Sequence, residues 1–256
     1  MRTWRLILDG PQDGSWNMAV DRAVLSSRAN GEAPPTLRLY SWRVPTVTLG
    51  RFQPLTDVDV ELCRDLGFDV VRRPTGGRGV LHDDEVTYSV VGSIEDGIPR
   101  GVSASYRHLC AALAEAYRSL GVPADLTSRS RGERSAGACY LHATPADLSL
   151  GAAKLSGSAQ VWEKDAMLQH GSFVRSRDAG TEADVFLLGE SGRGRLRVET
   201  ATLEVAPGGA PSTEAIISAI RAAFETALGI SLVEGALSGT EIREARRLAP
   251  GFEALR

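Results

Sequence analysis

Short apolar runs of strand character and longer stretches of helical period interleave along this chain without a regular order. That irregularity constrains the fold more than any single motif. A regular alternation would give a parallel sheet of βαβ units; an irregular one predicts an α+β architecture, a mixed β-sheet flanked by helices. Ser15 or Asn17 can cap a helix through about Ala29, with Met18, Val24 and Leu25 on its apolar side. Residues 36–42 alternate as a strand should, and the strand pattern resumes over 46–49 after Pro45. Residues 58–66 read as a short helix stopped by Gly67, and 68–71 form a β-branched run. Residues 86–91 are a further strand. The clearest amphipathic helix spans 103–120 and is closed by Gly121. Residues 147–150 and 155–161 read as strands around a glycine turn, and 212–228 and 238–248 as helices. No repeat is visible, and the Gly/Pro-rich stretches at 30–35, 92–101 and 207–211 are too short for flexible linkers. One main domain over residues 1–256 is therefore expected.

Composition removes several function classes. A chain that is 43% hydrophobic and 24% charged is not mainly disordered. No run approaches the eighteen apolar residues of a membrane helix, and the apolar stretch after Thr3 is too short for a secretory signal. A cytosolic, membrane-free setting is expected. A net charge of −3 speaks against a nucleic-acid partner, which calls for a basic excess. Cys63, Cys110 and Cys139 are odd in number and form no CxxC, so neither a zinc site nor a disulfide framework is expected. Of 29 cationic residues only Lys154 and Lys164 are lysines. A lysine in so arginine-rich a chain points to a place where a guanidinium would not serve, although codon bias explains the count equally well.

Three segments can carry chemistry. In Arg72-Arg73-Pro74-Thr75-Gly76-Gly77-Arg78-Gly79-Val80-Leu81-His82, three glycines in four positions permit positive φ and let a substrate touch the backbone. Amides exposed there could hold an oxyanion, a carboxylate or a phosphate. The spacing is neither a Walker A loop nor GxGxxG. An ordinary hairpin with solvated arginines is the alternative, and His82 alone reads as a structural histidine. The second segment is Lys154-Leu155-Ser156-Gly157-Ser158-Ala159-Gln160, where small neighbours would let another group approach the ammonium. The third is Cys139, which lies on no helical stripe, unlike Cys63 and Cys110. A free thiol has a pKa of about 8.5, and an ammonium within about 4–6 Å favours the anion by about one to three units. A Cys139–Lys154 pair would be a workable nucleophile; an inert buried thiol and an exposed hairpin lysine are the alternatives.

Together these segments resemble the biotin/lipoate protein ligase family, and within it the octanoyltransferases that use a cysteine. Residues 72–82 resemble its RRPTGGRxVLH signature, continued through 83–89, and 154–160 resemble the KxxGSAQ element that carries the family lysine. Residues 17–21, 49–53 and 169–172 match three further elements, in collinear order over about 15–250. Lipoate ligases proper carry a third glycine where Arg78 stands, and a longer C-terminal part. The cysteine subgroup commonly has Phe where Tyr140 stands.

The resemblance implies transfer of an octanoyl group from octanoyl-acyl carrier protein to a lysine of a lipoyl carrier protein, such as the glycine cleavage H protein, in lipoate biosynthesis. It implies Cys139 and Lys154 as catalytic residues and Arg73, Gly76, Gly77, His82, Gly157 and Ser158 as substrate-binding ones. A thioester is already activated, so neither a metal nor another cofactor is implied. His82 and Lys154 both qualify to accept the proton of the acceptor amine. Arg129, Arg131 and Arg134 could dock an acidic carrier, or form a solvated loop. The rival readings are an ATP-dependent lipoate-protein ligase, in which Lys154 binds the phosphate side of an acyl-adenylate and Cys139 is incidental; a biotin ligase, whose glycine motif normally differs; and a silent binder of carrier or acyl group.

Overall fold

The computed structural model describes residues 1–127, 131–132, 137–144 and 147–254. The strands are, in chain order, β1 (Arg2–Gln12), β2 (Thr36–Trp42), β3 (Thr46–Leu49), β4 (Asp69–Arg72), β5 (Val80–His82), β6 (Glu85–Ser93) and β7 (Asp125–Leu126). They continue with β8 (Arg131–Gly132), β9 (His142–Ala143), β10 (Leu148–Leu150), β11 (Ala153–Ser156), β12 (Ser158–Glu163), β13 (Ala166–Val174) and β14 (Ile230–Glu234). The helices are α1 (Gly14–Ala29), α2 (Val60–Asp65), α3 (Val102–Ser119), α4 (Ala179–Val185), α5 (Gly189–Glu199), α6 (Thr213–Leu228) and α7 (Gly239–Leu248).

A six-stranded mixed sheet in the order β12-β13-β6-β2-β1-β14 forms the centre. β1 runs parallel to β2 and β14, and the other pairs are antiparallel. One face carries Trp4, Leu6, Leu39, Tyr88 and Val90 against Leu109, Leu113 and Tyr117 of α3 and Phe224 of α6, all buried in one cluster. Leu109 and Leu113 stand four apart and Tyr117 four further, so a single stripe of α3 faces the sheet. Each such side chain contributes about 1.5–3 kcal/mol by leaving water. On the other face Val20, Val24 and Leu25 of α1 pack against Val91 and Leu168. Two small sheets, β4-β3-β5 and β11-β10-β7, hold the site against this body. The architecture is the expected α+β one. Among the described residues no helix is long and apolar enough to cross a membrane.

Several local expectations change. α1 starts at Gly14 after Asp13, whose side chain makes no capping bond. Asn17 is fully buried instead and donates to the Ser41 carbonyl at 3.1 Å. Residues 46–49 do not continue β2: past Pro45 they pair with β4 and β5 in a separate sheet. The 155–161 stretch is split at Gly157, so that β11 pairs with β10 and β12 with β13. Ser212 and Ser238 cap α6 and α7 by accepting from the amides of Ala215 and Glu241. β1 was not anticipated, because its alternation is broken by a register shift between Leu8 and Pro11. Arg129, Arg134 and the side chain of Arg131 lie outside the described residues.

Candidate active site

Two backbone hydrogen bonds bring the glycine segment to Cys139. The Gly79 amide donates to the Gly137 carbonyl at 2.9 Å, and the Cys139 amide donates to the Gly79 carbonyl at 2.8 Å. Cys139 opens a single turn of 3₁₀ helix through Leu141 and is half-buried. Lys154 comes from β11 and turns its ammonium to the same point. Nζ lies 3.7 Å from the Cys139 Sγ and donates to the Cys139 carbonyl at 3.1 Å. It also pairs with Asp147 Oδ2 at 3.1 Å, both side chains being 3% exposed. Burial works against the Lys154 charge, but Cys139 and Asp147 outweigh it and hold the ammonium above its ordinary value. The strand break at Gly157 is part of this arrangement. A Cβ there would stand 2.9 Å from Lys154 Nζ and 3.5 Å from Cys139 Sγ, so only glycine leaves room for the pair. The other lysine, Lys164, is exposed and donates to Asn30.

The sulfur opens on a cleft whose walls include Met18, Tyr40, Trp42, Val80 and Tyr140. Arg73, Gly77, His82, Gly157 and Ser158 also line it, whereas Gly76 lines an adjoining groove. Arg73 is buried, and its guanidinium holds the loop in shape by donating to the carbonyls of Thr48, Gly76 and Arg78 at 3.0, 2.7 and 2.8 Å. Burial pushes it down to about 10, against the opposing pull of Cys139. Gly77 has φ of 95°, a left-handed conformation, and its carbonyl would be 2.0 Å from a Cβ on Gly50. The amides of Gly77 and Gly157 donate to no acceptor among the described residues, while that of Ser158 donates to the Tyr106 hydroxyl at 2.8 Å.

A buried polar network supports the cleft floor. His82 lies between Glu85 Oε1 at 2.7 Å and Thr48 Oγ1 at 2.9 Å, and stacks on Trp42. His170 lies between Asp21 Oδ2 at 3.0 Å and Thr75 Oγ1 at 2.7 Å. Arg38 donates to Asp21 at 3.0 Å. Residues from four of the motif segments thus meet in one network. No group of three or more His, Cys, Asp or Glu among the described residues is arranged to hold a metal ion.

This network predicts the acid limit of stability. Burial pushes the His170 imidazole down from 6.5, with Asp21 acting against it. Burial opposes the charges of Asp21 and Glu85, but His170 and Arg38 for the first and His82 for the second hold both below the ordinary carboxylate range. An unfolded chain therefore binds protons at a higher pH than the folded one at all three groups. Their contribution is complete above the unfolded values, about 6.5 for histidine and about 4 for carboxylates, and is lost as pH falls through the lowered folded ones. Circular dichroism melts from about pH 8 to about pH 4 should show Tm falling from about pH 6.5 downward. A Tm level over that range would show that the network does not couple to folding.

Of the residues singled out in the sequence, Cys139, Arg73, Gly77, His82, Gly157 and Ser158 line the cleft, Gly76 lines the adjoining groove, and Lys154 stands behind the lining, 3.7 Å from the Cys139 sulfur. Asp147 and Tyr106 escaped that reading: Asp147 stood at the start of a predicted strand and Tyr106 inside an amphipathic helix. The only available signal was an acidic residue seven positions before Lys154.

The family described as the lipoyl protein ligase A/B catalytic domain matches residues 13–225. The octanoyltransferase LipM of Kyrpidia tusciae is 39% identical over 267 aligned positions, covering 99% of this chain and 97% of that protein. Octanoyltransferase LipM of Symbiobacterium thermophilum is 38% identical, covering 96% and 93%. Among solved structures, a crystal structure of lipoate-protein ligase A bound with ATP is similar at a TM-score of 0.81 and 26% identity, covering 98% of this chain and 95% of that one. With two thirds and more of the chain matched by model and relatives alike, this chain belongs to the lipoyl protein ligase A/B catalytic-domain family.

Proposed function

We propose that this chain is a cytosolic octanoyltransferase of lipoate biosynthesis. It takes octanoyl from octanoyl-acyl carrier protein onto Cys139 and passes it to a lysine of a lipoyl carrier protein such as the glycine cleavage H protein. The observation that carries this reading is the 3.7 Å approach of the Cys139 sulfur to the Lys154 ammonium at the wall of a largely apolar cleft. The likeness to octanoyltransferases supports it.

The Cys139 thiolate, stabilised by Lys154, attacks the thioester carbonyl. The new C–S bond forms, the bond to the carrier's sulfur breaks, and that sulfur leaves with the electron pair. The acceptor amine then attacks the octanoyl-Cys139 carbonyl, forming C–N and returning the electron pair to the Cys139 sulfur. The net result is an amide, and the proton lost by the amine ends on the carrier thiol. Each tetrahedral intermediate carries an oxyanion, for which the Gly77 and Gly157 amides are the donors with room to serve; one such donor is worth about 2.7–4 kcal/mol. His82 and Arg73 shape the cleft rather than reach out of it, since both are committed to neighbouring groups. The acyl chain lies along the apolar walls, where about six methylenes contribute about 5 kcal/mol, enough to prefer eight carbons to four.

Incubation with octanoyl-acyl carrier protein without ATP should add one octanoyl mass to the intact protein, on Cys139 and removable by hydroxylamine. Turnover only with ATP and free acid would make the chain a ligase, and no turnover with either donor would make it a binder.

A further inference from the structure

Lys154 has a second anionic neighbour besides the sulfur, and that neighbour is braced from three sides. Asp147 Oδ2 lies 3.1 Å from Lys154 Nζ, and both side chains are 3% exposed. The same oxygen accepts the Thr144 amide at 2.8 Å, from the loop that carries Cys139. The other oxygen accepts the Tyr106 hydroxyl, from α3. The Tyr106 oxygen in turn accepts the Ser158 amide at 2.8 Å, just beyond the glycine that faces the catalytic pair. A buried carboxylate fixed in this way is not a free ligand; its open valence is the lysine.

We propose that Asp147 is a positioning residue that keeps Lys154 protonated and aimed at the Cys139 sulfur through both half-reactions, with Tyr106 fixing its second oxygen. The proposal rests on the octanoyltransferase reading and deepens it. Once Cys139 is octanoylated, its sulfur carries no negative charge. A buried ammonium that had only this sulfur as partner would then be uncompensated and would shed its proton. Asp147 prevents that, so the cation is in place when the sulfur must leave again with its electron pair. Lys154 is then a fixed cation and does not take the proton of the acceptor amine. A single carboxylate thus serves two chemical states of one cysteine.

Among the described residues, the titratable groups around the pair include Cys139 and Tyr140 from the loop, Tyr106 and Cys110 from α3, and Arg73 from the glycine segment. Burial pushes the Cys110 thiol up to about 12 and the Tyr106 hydroxyl well above its ordinary value, so neither changes charge in the range to be assayed.

The test is the single-turnover rate of Cys139 octanoylation by octanoyl-acyl carrier protein, followed by intact mass from about pH 6 to about pH 10, with a protein-free control for thioester hydrolysis. The wild-type rate should hold on the alkaline side. Asp147→Asn should be slower by about ten- to a hundred-fold near neutrality and should decline again on the alkaline side, at least about one pH unit before any wild-type decline. Asp147→Glu, which keeps the charge, should restore the alkaline plateau. Tyr106→Phe should move the decline in the same direction by less, and covers the case in which Asp147→Asn does not fold. A purely structural role would lower the rate uniformly with pH. An unshifted profile in whichever of Asp147→Asn and Tyr106→Phe folds overturns the proposal. Failure of the wild type to take up octanoyl would instead overturn the octanoyltransferase reading.

Discussion

Cys139→Ser should fold as the parent does and transfer no measurable octanoyl, with kcat/KM lower by about a thousand-fold or more. The substitution exchanges one atom of similar shape at a half-buried position, so packing changes little. The chemistry changes completely, because a hydroxyl does not ionise beside an ammonium as a thiol does. Intact mass after incubation with octanoyl-acyl carrier protein, paired with an assay for the amide product, reads both half-reactions. A serine variant retaining a tenth of the parental transfer would remove the cysteine from the mechanism. An enzyme that activates its acid with ATP would tolerate the change, so the same variant separates the two chemistries.

Lys154→Arg should be nearly as damaging, costing about a hundred-fold or more in octanoylation rate. Nζ meets the Cys139 carbonyl and Asp147, each at 3.1 Å, and the Cys139 sulfur at 3.7 Å. A compact ammonium satisfies that arrangement; a planar guanidinium on a longer stem does not. Gly157 confines the space further, since even a methyl group there would stand 2.9 Å from Nζ. Guanidinium also retains its proton under all ordinary conditions, so the variant preserves charge while changing shape. Full activity in Lys154→Arg would reduce the residue to a positive charge of no particular geometry. The rate should be read together with Tm, because a misfit in so buried a place also costs stability.

The candidate site was more legible in the amino-acid sequence than the scaffold around it. Cys139, Lys154 and the glycine segment stand out through the resemblance of their motifs taken together; read singly, each left a structural alternative open. What could not be read was the contact between Cys139 and Lys154. It depends on the two backbone bonds from Gly79 to the 137–139 segment and on the break at Gly157, and backbone pairing between distant segments leaves no local pattern. Asp147 was hidden for a related reason: a buried carboxylate looks like any acidic residue until its partners are known. The resemblance implies Arg73 and His82 as substrate-binding residues, while His82 taken alone reads as structural; both line the cleft, with their polar atoms bonded to neighbouring backbone and side chains. The helices with one apolar stripe and a serine cap, α6 and α7, were the easiest to place. β1 was the hardest, because its bulge interrupts the alternation by which strands are recognised.

The parallel pairing of β1 with β14 sets Trp4 opposite Leu232 and Arg2 opposite Ile230. Residues made early in translation thus wait for residues made late. Until β14 emerges, the nascent sheet ends in a bare edge, and Trp4 and Leu6 lack part of their covering. Ring closure over so long a stretch of chain is entropically slow, so this pairing is among the late events of folding to be expected.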